Sequence, residues 1–284
     1  MNIAFAKMHG LGNDFMIVNR IEQDFDLPAA NQINLWSDRR TGIGFDQMLV
    51  IEAPERPDCD FHYRIFNADG REAAHCGNGA RCIARYLLGR LTDRTRLSFS
   101  TGVGRIATEL RPDGSVRVQM GTPEVFPPNP PEVIIQGQPR NSPQLRAGVA
   151  EAVALVKLGN LHWIVPVDDL DDDEDLQRQD QSLREDLDLW LCNINFVRTV
   201  NAATLRLVTF EAGVDGGRTP ACGSGACASA AAMIRTGTAE FPDIQTDLTV
   251  MMDGGSAEVS WPERAEIYLS GPAECVYEGT VRLP

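Results

Sequence analysis

Apolar and polar residues alternate along several segments of this chain, in the pattern of half-buried strands. These segments are 61–66, 105–110, 116–120, 205–210 and 266–269. Helical patterns are fewer and are predicted over 29–39, 77–91, 144–150 and 223–236. The sequence Pro-Asp-Gly at 112–114 predicts a turn that joins two of the strands into a hairpin. Many strands with few helices indicate an α+β fold.

The chain repeats its own landmarks once. Cys-Gly-Asn-Gly-Ala at 76–80 returns as Cys-Gly-Ser-Gly-Ala at 222–226, an offset of 222 − 76 = 146 residues. Gly-Asn at 12–13 returns at 159–160, an offset of 160 − 13 = 147 residues. Each cysteine phrase opens a predicted helix. We therefore expect two pseudo-symmetric domains from an internal duplication, each with strands curled around a central helix.

The proline-rich stretch 123–143 is the natural boundary between the two halves. The N-terminal half is expected over 1–124 and the C-terminal half over 125–274. A chain of 284 residues, of which 43% are hydrophobic, is long enough for two separate cores. We expect the active site in the cleft between the halves, which close on the substrate and expel water.

Composition narrows the possible functions. The net charge of −14 disfavours a nucleic-acid partner, because phosphate backbones require basic surface. The sequence contains no apolar run long enough for a membrane helix, and the N-terminal segment lacks a signal-peptide pattern. Seven cysteines, an odd number, fit reduced thiols better than a disulfide framework. We therefore expect a cytoplasmic protein with no membrane partner.

Neither a metal nor an organic cofactor is expected. The cysteines form no Cys-x-x-Cys pair and the four histidines are scattered. The acidic run 168–175 lacks the spacing of a calcium loop and is read as a solvated loop or a helix start. Pyridoxal phosphate needs a Schiff-base lysine, and neither Lys7 nor Lys157 lies in a recognisable phosphate-binding context. Cofactor-independent chemistry is the better interpretation.

The two glycine-flanked cysteines, Cys76 and Cys222, are the candidate chemical groups. A helix N-terminus lowers a thiol's pKa, because its unpaired backbone N–H groups favour the thiolate. The same N–H groups can hold a substrate carboxylate. A racemase needs one group to remove a proton from one face of a carbon and another to donate a proton to the opposite face. Cys82 and Cys227, further along the two helices, are expected in the core.

At this point the chain resembles the diaminopimelate epimerase family of cofactor-independent amino-acid epimerases. The motifs that carry the resemblance lie at 8–15, 42–47, 66–70, 76–82 and 221–227, and the match covers nearly the whole chain. The resemblance implies two pseudo-symmetric α+β domains, each a curled, barrel-like mixed sheet around a central helix. The final strand, about 275–284, is implied to return to the first domain, and the protein to be a homodimer. The implied reaction converts LL-2,6-diaminopimelate to the meso form, in lysine and peptidoglycan-precursor biosynthesis.

The resemblance also implies roles for individual residues. Cys76 and Cys222 are implied to be the two acid/base thiols. The residues implied to bind the substrate are Asn13, Gln47, Asn67, Gly77, Asn78, Asn160, Asn193, Glu211, Gly223 and Ser224. Among these, the backbone at 77–78 and 223–224 is implied to hold the reacting carboxylate. His162 and Glu211 are implied to lie near the thiols and tune them.

One departure from the family pattern bears on the substrate. In the family, an arginine that grips the distal carboxylate of diaminopimelate follows the residue that matches Glu211, whereas this chain has Ala212. The segment from Glu211 to Cys222 is also two residues longer than usual, and Arg218 within it could replace the arginine. Two alternatives therefore stay open: a racemase of an amino acid without a distal carboxylate, and a non-catalytic amino-acid-binding protein.

Overall fold

The computed structural model describes residues 1–73, 76–102, 104–127, 132–135, 138–141, 154–187, 191–213, 217–237, 247–262 and 265–283. The chain divides into two compact units. Unit 1 comprises Met1–Gln119 and Ser270–Pro284, and unit 2 comprises Met120–Leu269. The sequence predicts boundaries after 124 and 274.

Twenty strands and four helices are present in the described residues. The helices are α1 (Ala30–Ser37), α2 (Gly77–Leu87), α3 (Asp173–Leu187) and α4 (Gly223–Thr236). The strands are β1 (Asn2–Gly10), β2 (Asn13–Asn19), β3 (Gln47–Glu52), β4 (Phe61–Asn67), β5 (Glu72–Ala73), β6 (Arg96–Thr101), β7 (Gly104–Leu110), β8 (Val116–Gly121), β9 (Glu124–Phe126), β10 (Glu132–Ile135), β11 (Gln138–Asn141), β12 (Ala154–Leu158), β13 (Asn160–Pro166), β14 (Cys192–Asn201), β15 (Thr204–Phe210), β16 (Arg218–Thr219), β17 (Leu248–Met252), β18 (Gly255–Ser260), β19 (Ile267–Gly271) and β20 (Glu274–Arg282).

Unit 1 is a mixed sheet in the order β20-β1-β2-β3-β4-β6-β7-β8. The pairs β2/β3 and β4/β6 are parallel, and the other neighbours are antiparallel. The predicted hairpin at 112–114 is confirmed, since it joins β7 to β8 and Gly114 adopts a φ of 85°. Only glycine adopts that left-handed conformation without steric cost.

Unit 2 repeats this arrangement in the order β9-β12-β13-β14-β15-β17-β18. Here β13/β14 and β15/β17 are the parallel pairs, at the places that β2/β3 and β4/β6 hold in unit 1. Each sheet takes an outer strand from a distant part of the chain. Strand β20 pairs with β1, and β9 pairs with β12. The shared strand order supports a duplication.

Each sheet has a helix on both faces. In unit 1, Met16 and Met48 pack in one core cluster with Ile33 and Trp36 of α1. Because side chains alternate along a strand, Leu49 belongs to the opposite face, against α2. In unit 2 the sheet residues Trp163, Ile194 and Phe196 share a cluster with Leu176 and Leu183 of α3, which leaves the opposite face for α4.

Helix α4 is the central helix of unit 2. Its residues from Ala226 to Met233 are all buried, as expected for a helix around which a sheet curls. Small side chains (Gly, Ala and Ser) fill most of it and allow this close packing. The prediction of an α+β fold with a curled sheet around a helix is confirmed; the sheets are curled rather than closed barrels.

The helix predictions had mixed outcomes. The prediction over 223–236 is confirmed, whereas α2 ends at Leu87 and not at 91. Helix α1 is shorter than the predicted 29–39. The predicted helix at 144–150 lies outside the described residues. The acidic run 168–175 leads into α3, which is 15 residues long. Within the described residues, each helix is too short or too polar to traverse a lipid bilayer.

Candidate active site

In unit 1 the predicted pocket residues gather at one edge of the sheet. Asn13 and Gln47 begin the parallel strands β2 and β3, and Asn67 ends the antiparallel strand β4. The start of a strand and the end of its antiparallel neighbour meet at the same edge. Gln47 Nε2 donates a hydrogen bond of 2.9 Å to Asn67 Oδ1. Gln47 Oε1 is buried and has no partner among the described residues.

Cys76 caps the N-terminus of α2. Its backbone is extended (φ −147°, ψ 110°), and its Sγ accepts a hydrogen bond from the N–H of Gly79 at 3.4 Å. The thiol also lies 3.7 Å from Asn13 Oδ1, which in turn accepts a hydrogen bond of 3.2 Å from Asn78 Nδ2. Gly77 and Asn78 are buried in the first turn of the helix. The structure thus brings four of the predicted site residues into one cluster.

The amide of Asn13 has a fixed orientation. Its Nδ2 donates a hydrogen bond of 2.8 Å to Asp46 Oδ2, so its Oδ1 must face the thiol. Arg39 forms ion pairs with both Asp46 and Asp14, and Lys7 pairs with Asp14 at 2.6 Å. Burial raises the pKa of Asp14, but the hydrogen bonds from Arg39 and Lys7 outweigh burial and lower this pKa to about 2. A charged network therefore supports the cysteine's neighbour.

The turn that precedes Asn13 is strained. Leu11 and Gly12 both have positive φ, 58° and 83°, and they form the two-residue connection between β1 and β2. The left-handed conformation costs a leucine roughly 1–2 kcal/mol. Leu11 is nevertheless buried, with 5% of its surface exposed. Packing of this side chain holds the turn, and with it the start of β2 that carries Asn13.

In unit 2 the corresponding residues lie at the matching edge of the sheet. Asn160 begins β13 and is exposed, whereas Asn193, at the start of β14, is buried. Asn193 Oδ1 accepts a hydrogen bond of 2.9 Å from the N–H of Ala212. Its Nδ2 is buried and has no partner among the described residues. Glu211 follows β15, and its Oε1 accepts a hydrogen bond of 2.7 Å from Thr219 Oγ1.

Cys222 takes the same place on α4 that Cys76 takes on α2. It precedes the first helical residue, Gly223, with an extended backbone (φ −111°, ψ 106°), and it is 5% exposed. Its Sγ lies 3.6 Å from Ser224 Oγ. A Cβ added to Gly225 would lie 2.5 Å from Asn195 Oδ1 and 3.2 Å from the sulfur of Cys222. Only glycine fits in this turn.

His162 lies on β13 and is fully buried. Burial lowers the pKa of its imidazole to about 4, against a smaller opposing effect of a hydrogen bond with Asn195. The two side chains meet at 3.1 Å, between His162 Nδ1 and Asn195 Nδ2. His162 is therefore neutral at physiological pH.

Arg218 is already engaged within unit 2. Its Nε donates a hydrogen bond of 2.8 Å to Asp253 Oδ2, and its guanidinium also forms an ion pair with Asp173 at the start of α3. Two carboxylates thus neutralise the side chain that could replace the family arginine. Ala212 itself offers only its backbone N–H, which donates a hydrogen bond to Asn193 Oδ1.

Sequence reasoning missed three residues that organise the site. Asp46 orients Asn13, and Asn195 contacts His162. Arg184 of α3, buried beside Asp180, donates to the carbonyls of the residues just before Asn193 and Glu211, at 3.2 and 3.1 Å. The signals for the first two were present in the sequence: Asp46 adjoins Gln47, and Asn195 is two residues beyond Asn193, on the same face of its strand. The sequence carries no comparable signal for Arg184.

Comparison with known proteins identifies the family. A family model described as diaminopimelate epimerase matches residues 5–126 and 154–276. The diaminopimelate epimerase of Pseudomonas aeruginosa (strain LESB58) is 40% identical, with 100% of both chains covered. That of Neisseria meningitidis serogroup A is 39% identical over 98% of this chain and 97% of its own length. The chain belongs to the diaminopimelate epimerase family. Membership of this family makes it an isomerase.

Solved structures share the fold with this diaminopimelate epimerase family member at low sequence identity. A hydroxyproline epimerase from Agrobacterium vitis, with bound trans-4-hydroxy-L-proline, has a TM-score of 0.69 at 13% identity and covers 99% of this chain and 92% of its own. A PhzF-family phenazine biosynthesis protein from Bacillus anthracis has a TM-score of 0.69 at 17% identity, with both chains covered completely. At these identities the likeness establishes the fold alone.

Proposed function

We propose that this chain interconverts LL-2,6-diaminopimelate and meso-diaminopimelate without a cofactor, and that Cys76 and Cys222 are its two acid/base groups. One observation carries the proposal: two units of the same strand order each place a cysteine immediately before the first turn of a helix that runs through a curled sheet. Membership of the diaminopimelate epimerase family supplies the substrate.

The proposed reaction is a proton exchange at one carbon. One cysteine, as the thiolate, removes the α-proton and becomes a thiol. The electron pair left behind delocalises into the adjacent carboxylate. The other cysteine, as the thiol, donates its proton to the opposite face and becomes the thiolate. Atoms and charge balance, and the reverse reaction exchanges the two roles.

The helix termini serve the same reaction. A helix N-terminus directs its first backbone N–H groups, here those at 77–78 and 223–224, along the helix axis, and such a terminus is suited to bind a carboxylate. Such termini contribute about 0.3–1 kcal/mol each when exposed and up to about 2 when partly buried. This is too little to stabilise a carbanion alone, so we propose that exclusion of water from the site strengthens these contacts.

Amide side chains are the proposed distal subsite. Gln47 and Asn67 are hydrogen-bonded to each other at one edge of the unit 1 sheet. At the matching edge of the unit 2 sheet, Asn193 has a buried Nδ2 that is available to donate a hydrogen bond. Asn160 completes this proposed set, and Glu211 is proposed to bind the substrate as well. His162 and Glu211 are proposed to tune the thiols.

A racemase of another amino acid is the second candidate. Two features favour it: the resemblance implies an arginine where this chain has Ala212, and Arg218 is bound to Asp253 and Asp173. Incubation with LL-diaminopimelate and with a panel of free L-amino acids, followed by chiral chromatography, separates the two candidates. We expect turnover of diaminopimelate alone, and turnover of another amino acid with none of diaminopimelate would establish the alternative.

Cysteine variants test the mechanism. Cys76→Ala and Cys222→Ala are each expected to abolish epimerisation. Cys82→Ala and Cys227→Ala are matched controls, because these thiols lie on the same two helices and are fully buried in the core. An active Cys222→Ala enzyme would refute the two-thiol mechanism. Binding of diaminopimelate by the wild-type protein, with no turnover under reducing conditions, would instead establish a non-catalytic binding protein.

We also propose a homodimer in the cytoplasm. Strand β20, the outer strand of the unit 1 sheet, carries two exposed apolar side chains, Val276 (57% exposed) and Tyr277 (44% exposed). Contiguous exposed apolar residues are typical of association surfaces. The buried free thiols Cys59, Cys82 and Cys192 fit a reducing compartment. Light scattering of the wild type and of Val276→Asp tests the dimer, which we expect this charge to weaken.

A further inference from the structure

A buried polar cluster lies on the inner face of the unit 2 sheet. It consists of His162 on β13, Asn195 on β14 and Thr209 on β15, exposed by 0, 0 and 3%. Asn195 connects the other two. Its Nδ2 lies 3.1 Å from His162 Nδ1, and its Oδ1 accepts a hydrogen bond of 3.0 Å from Thr209 Oγ1.

The equivalent positions in unit 1 are entirely apolar. Leu49 pairs with Ile65 across β3 and β4, as Asn195 pairs with Thr209 across β14 and β15. Phe15, two residues after the Asn that begins β2, corresponds to His162, two residues after the Asn that begins β13. These three unit 1 side chains are Phe15, Leu49 and Ile65, all 0–1% exposed.

This difference between the halves indicates a chemical role. The same strand order folds in unit 1 with an apolar core at these three places, so the fold does not require polar groups there. Burying polar side chains is costly unless each is hydrogen-bonded. A polar set retained in one half only is therefore expected to serve the site at the end of the helix that it faces.

The hydrogen bonds fix which nitrogen of His162 carries the proton. Asn195 Nδ2 also lies 3.1 Å from the carbonyl oxygen of Asn193, which can only accept. This contact identifies the Nδ2 end of the amide, so the same Nδ2 must donate to His162 Nδ1. The neutral imidazole then carries its proton on Nε2. Nε2 is buried and has no partner among the described residues, so its N–H remains available as a donor.

Asn195, the middle member of the cluster, lies beneath the turn that carries Cys222. The space at Gly225 is bounded by Asn195 Oδ1 on one side and by the sulfur of Cys222 on the other. We propose that Asn195 and Thr209 are positioning residues that hold His162 as an Nε2–H donor for the negative charge that develops in the proposed site. The catalytic part of this inference rests on the proposed function.

The tautomer can be measured without substrate. Two-bond ¹H–¹⁵N correlation spectra of protein with ¹⁵N-labelled histidine distinguish Nε2–H from Nδ1–H, and His162→Gln assigns the signals among the four histidines. We expect the Nε2–H form in the wild type and loss of this single form in Asn195→Leu, which copies the leucine of unit 1. Ser229→Ala, which removes another fully buried side-chain hydroxyl, on α4, is the control and should leave the tautomer unchanged.

Activity measurements give a second readout. Asn195→Leu is expected to lower kcat by roughly tenfold or more while KM changes little, because a donor that acts on the reacting charge is lost. Thr209→Val should lower kcat by a smaller factor, and Thr209→Ser, which keeps the hydroxyl, should restore it. Ser229→Ala should keep wild-type kcat.

Two results would overturn the inference. One is an Nδ1–H tautomer in the wild type. The other is a folded Asn195→Leu protein with the wild-type tautomer and wild-type kcat. The spectra remain informative even if Cys222→Ala proves active, so failure of the two-thiol mechanism and failure of the positioning role are separable.

Discussion

The buried imidazole of His162 predicts a specific dependence of stability on pH. Its pKa falls from 6.5 to about 4 on folding because burial disfavours the charged form. Below pH 6.5 the unfolded chain therefore binds a proton that the folded chain does not. Stability from this group is fully present above pH 6.5 and is lost as the pH falls towards 4.

The size of the loss follows from the two pKa values. One pKa unit corresponds to about 1.36 kcal/mol, so the total loss between pH 6.5 and pH 4 is about 3 kcal/mol. Between pH 7 and pH 5 it is about 2 kcal/mol, since at pH 5 the unfolded imidazole is almost fully protonated and the folded one is mostly neutral. Such a change is a large part of the stability of a typical domain.

Urea unfolding at pH 7 and pH 5 measures this loss. The wild type is compared with His162→Gln, so that the contributions of all other ionisable groups cancel. We expect the wild type to lose about 2 kcal/mol more than the variant over this interval. Equal losses in the two proteins would show that His162 is accessible or charged in the fold, and would refute the reasoning.

Two further predictions concern substitutions that add a side chain, one at the glycines of the helix N-termini and one at Ala212. Gly225→Ala should destabilise the protein by about 1–3 kcal/mol, because the new Cβ would lie 2.5 Å from Asn195 Oδ1 and Asn195 is held by hydrogen bonds at both ends of its amide. At Gly79 a new Cβ would lie 3.2 Å from the terminal methyl groups of Leu49, so Gly79→Ala should be nearly neutral once the helix propensity of alanine is included. Urea unfolding of both variants checks this, and equal losses of stability would contradict it. Ala212→Arg should raise kcat/KM for diaminopimelate by about tenfold, because the new guanidinium would form a charge-assisted contact with the distal carboxylate. Steady-state kinetics checks this. An unchanged or lower kcat/KM would contradict such a contact.

Much of the fold was predictable because the duplication is visible in the sequence. The cysteine phrases predicted two central helices, and both begin one residue after the cysteines. Helix α3 was the hardest to predict, since its acidic start, with Asp173 and Glu174, is typical of both loops and helix N-termini. Its apolar positions, Leu176 and Leu183, become informative only when the sheet face that they cover is known.

The residues that support the site were less predictable than the candidate residues themselves. The glycines beside each cysteine and the asparagine that begins each strand follow local patterns. In contrast, the roles of Arg39 and Arg184 depend on which carboxylates and carbonyls the fold brings near them, from distant parts of the chain. The engagement of Arg218 with Asp253 is likewise a tertiary contact that spacing does not reveal.

Isotope exchange during the first turnovers tests the central claim most directly. LL-diaminopimelate is incubated with the enzyme in heavy water, and both substrate and product are analysed by mass spectrometry at low conversion. Two thiols with separate protons predict one deuterium at the α-carbon of the meso product and none in the recovered substrate. Product that keeps its original proton, or substrate labelled as quickly as product, would contradict the two-thiol account.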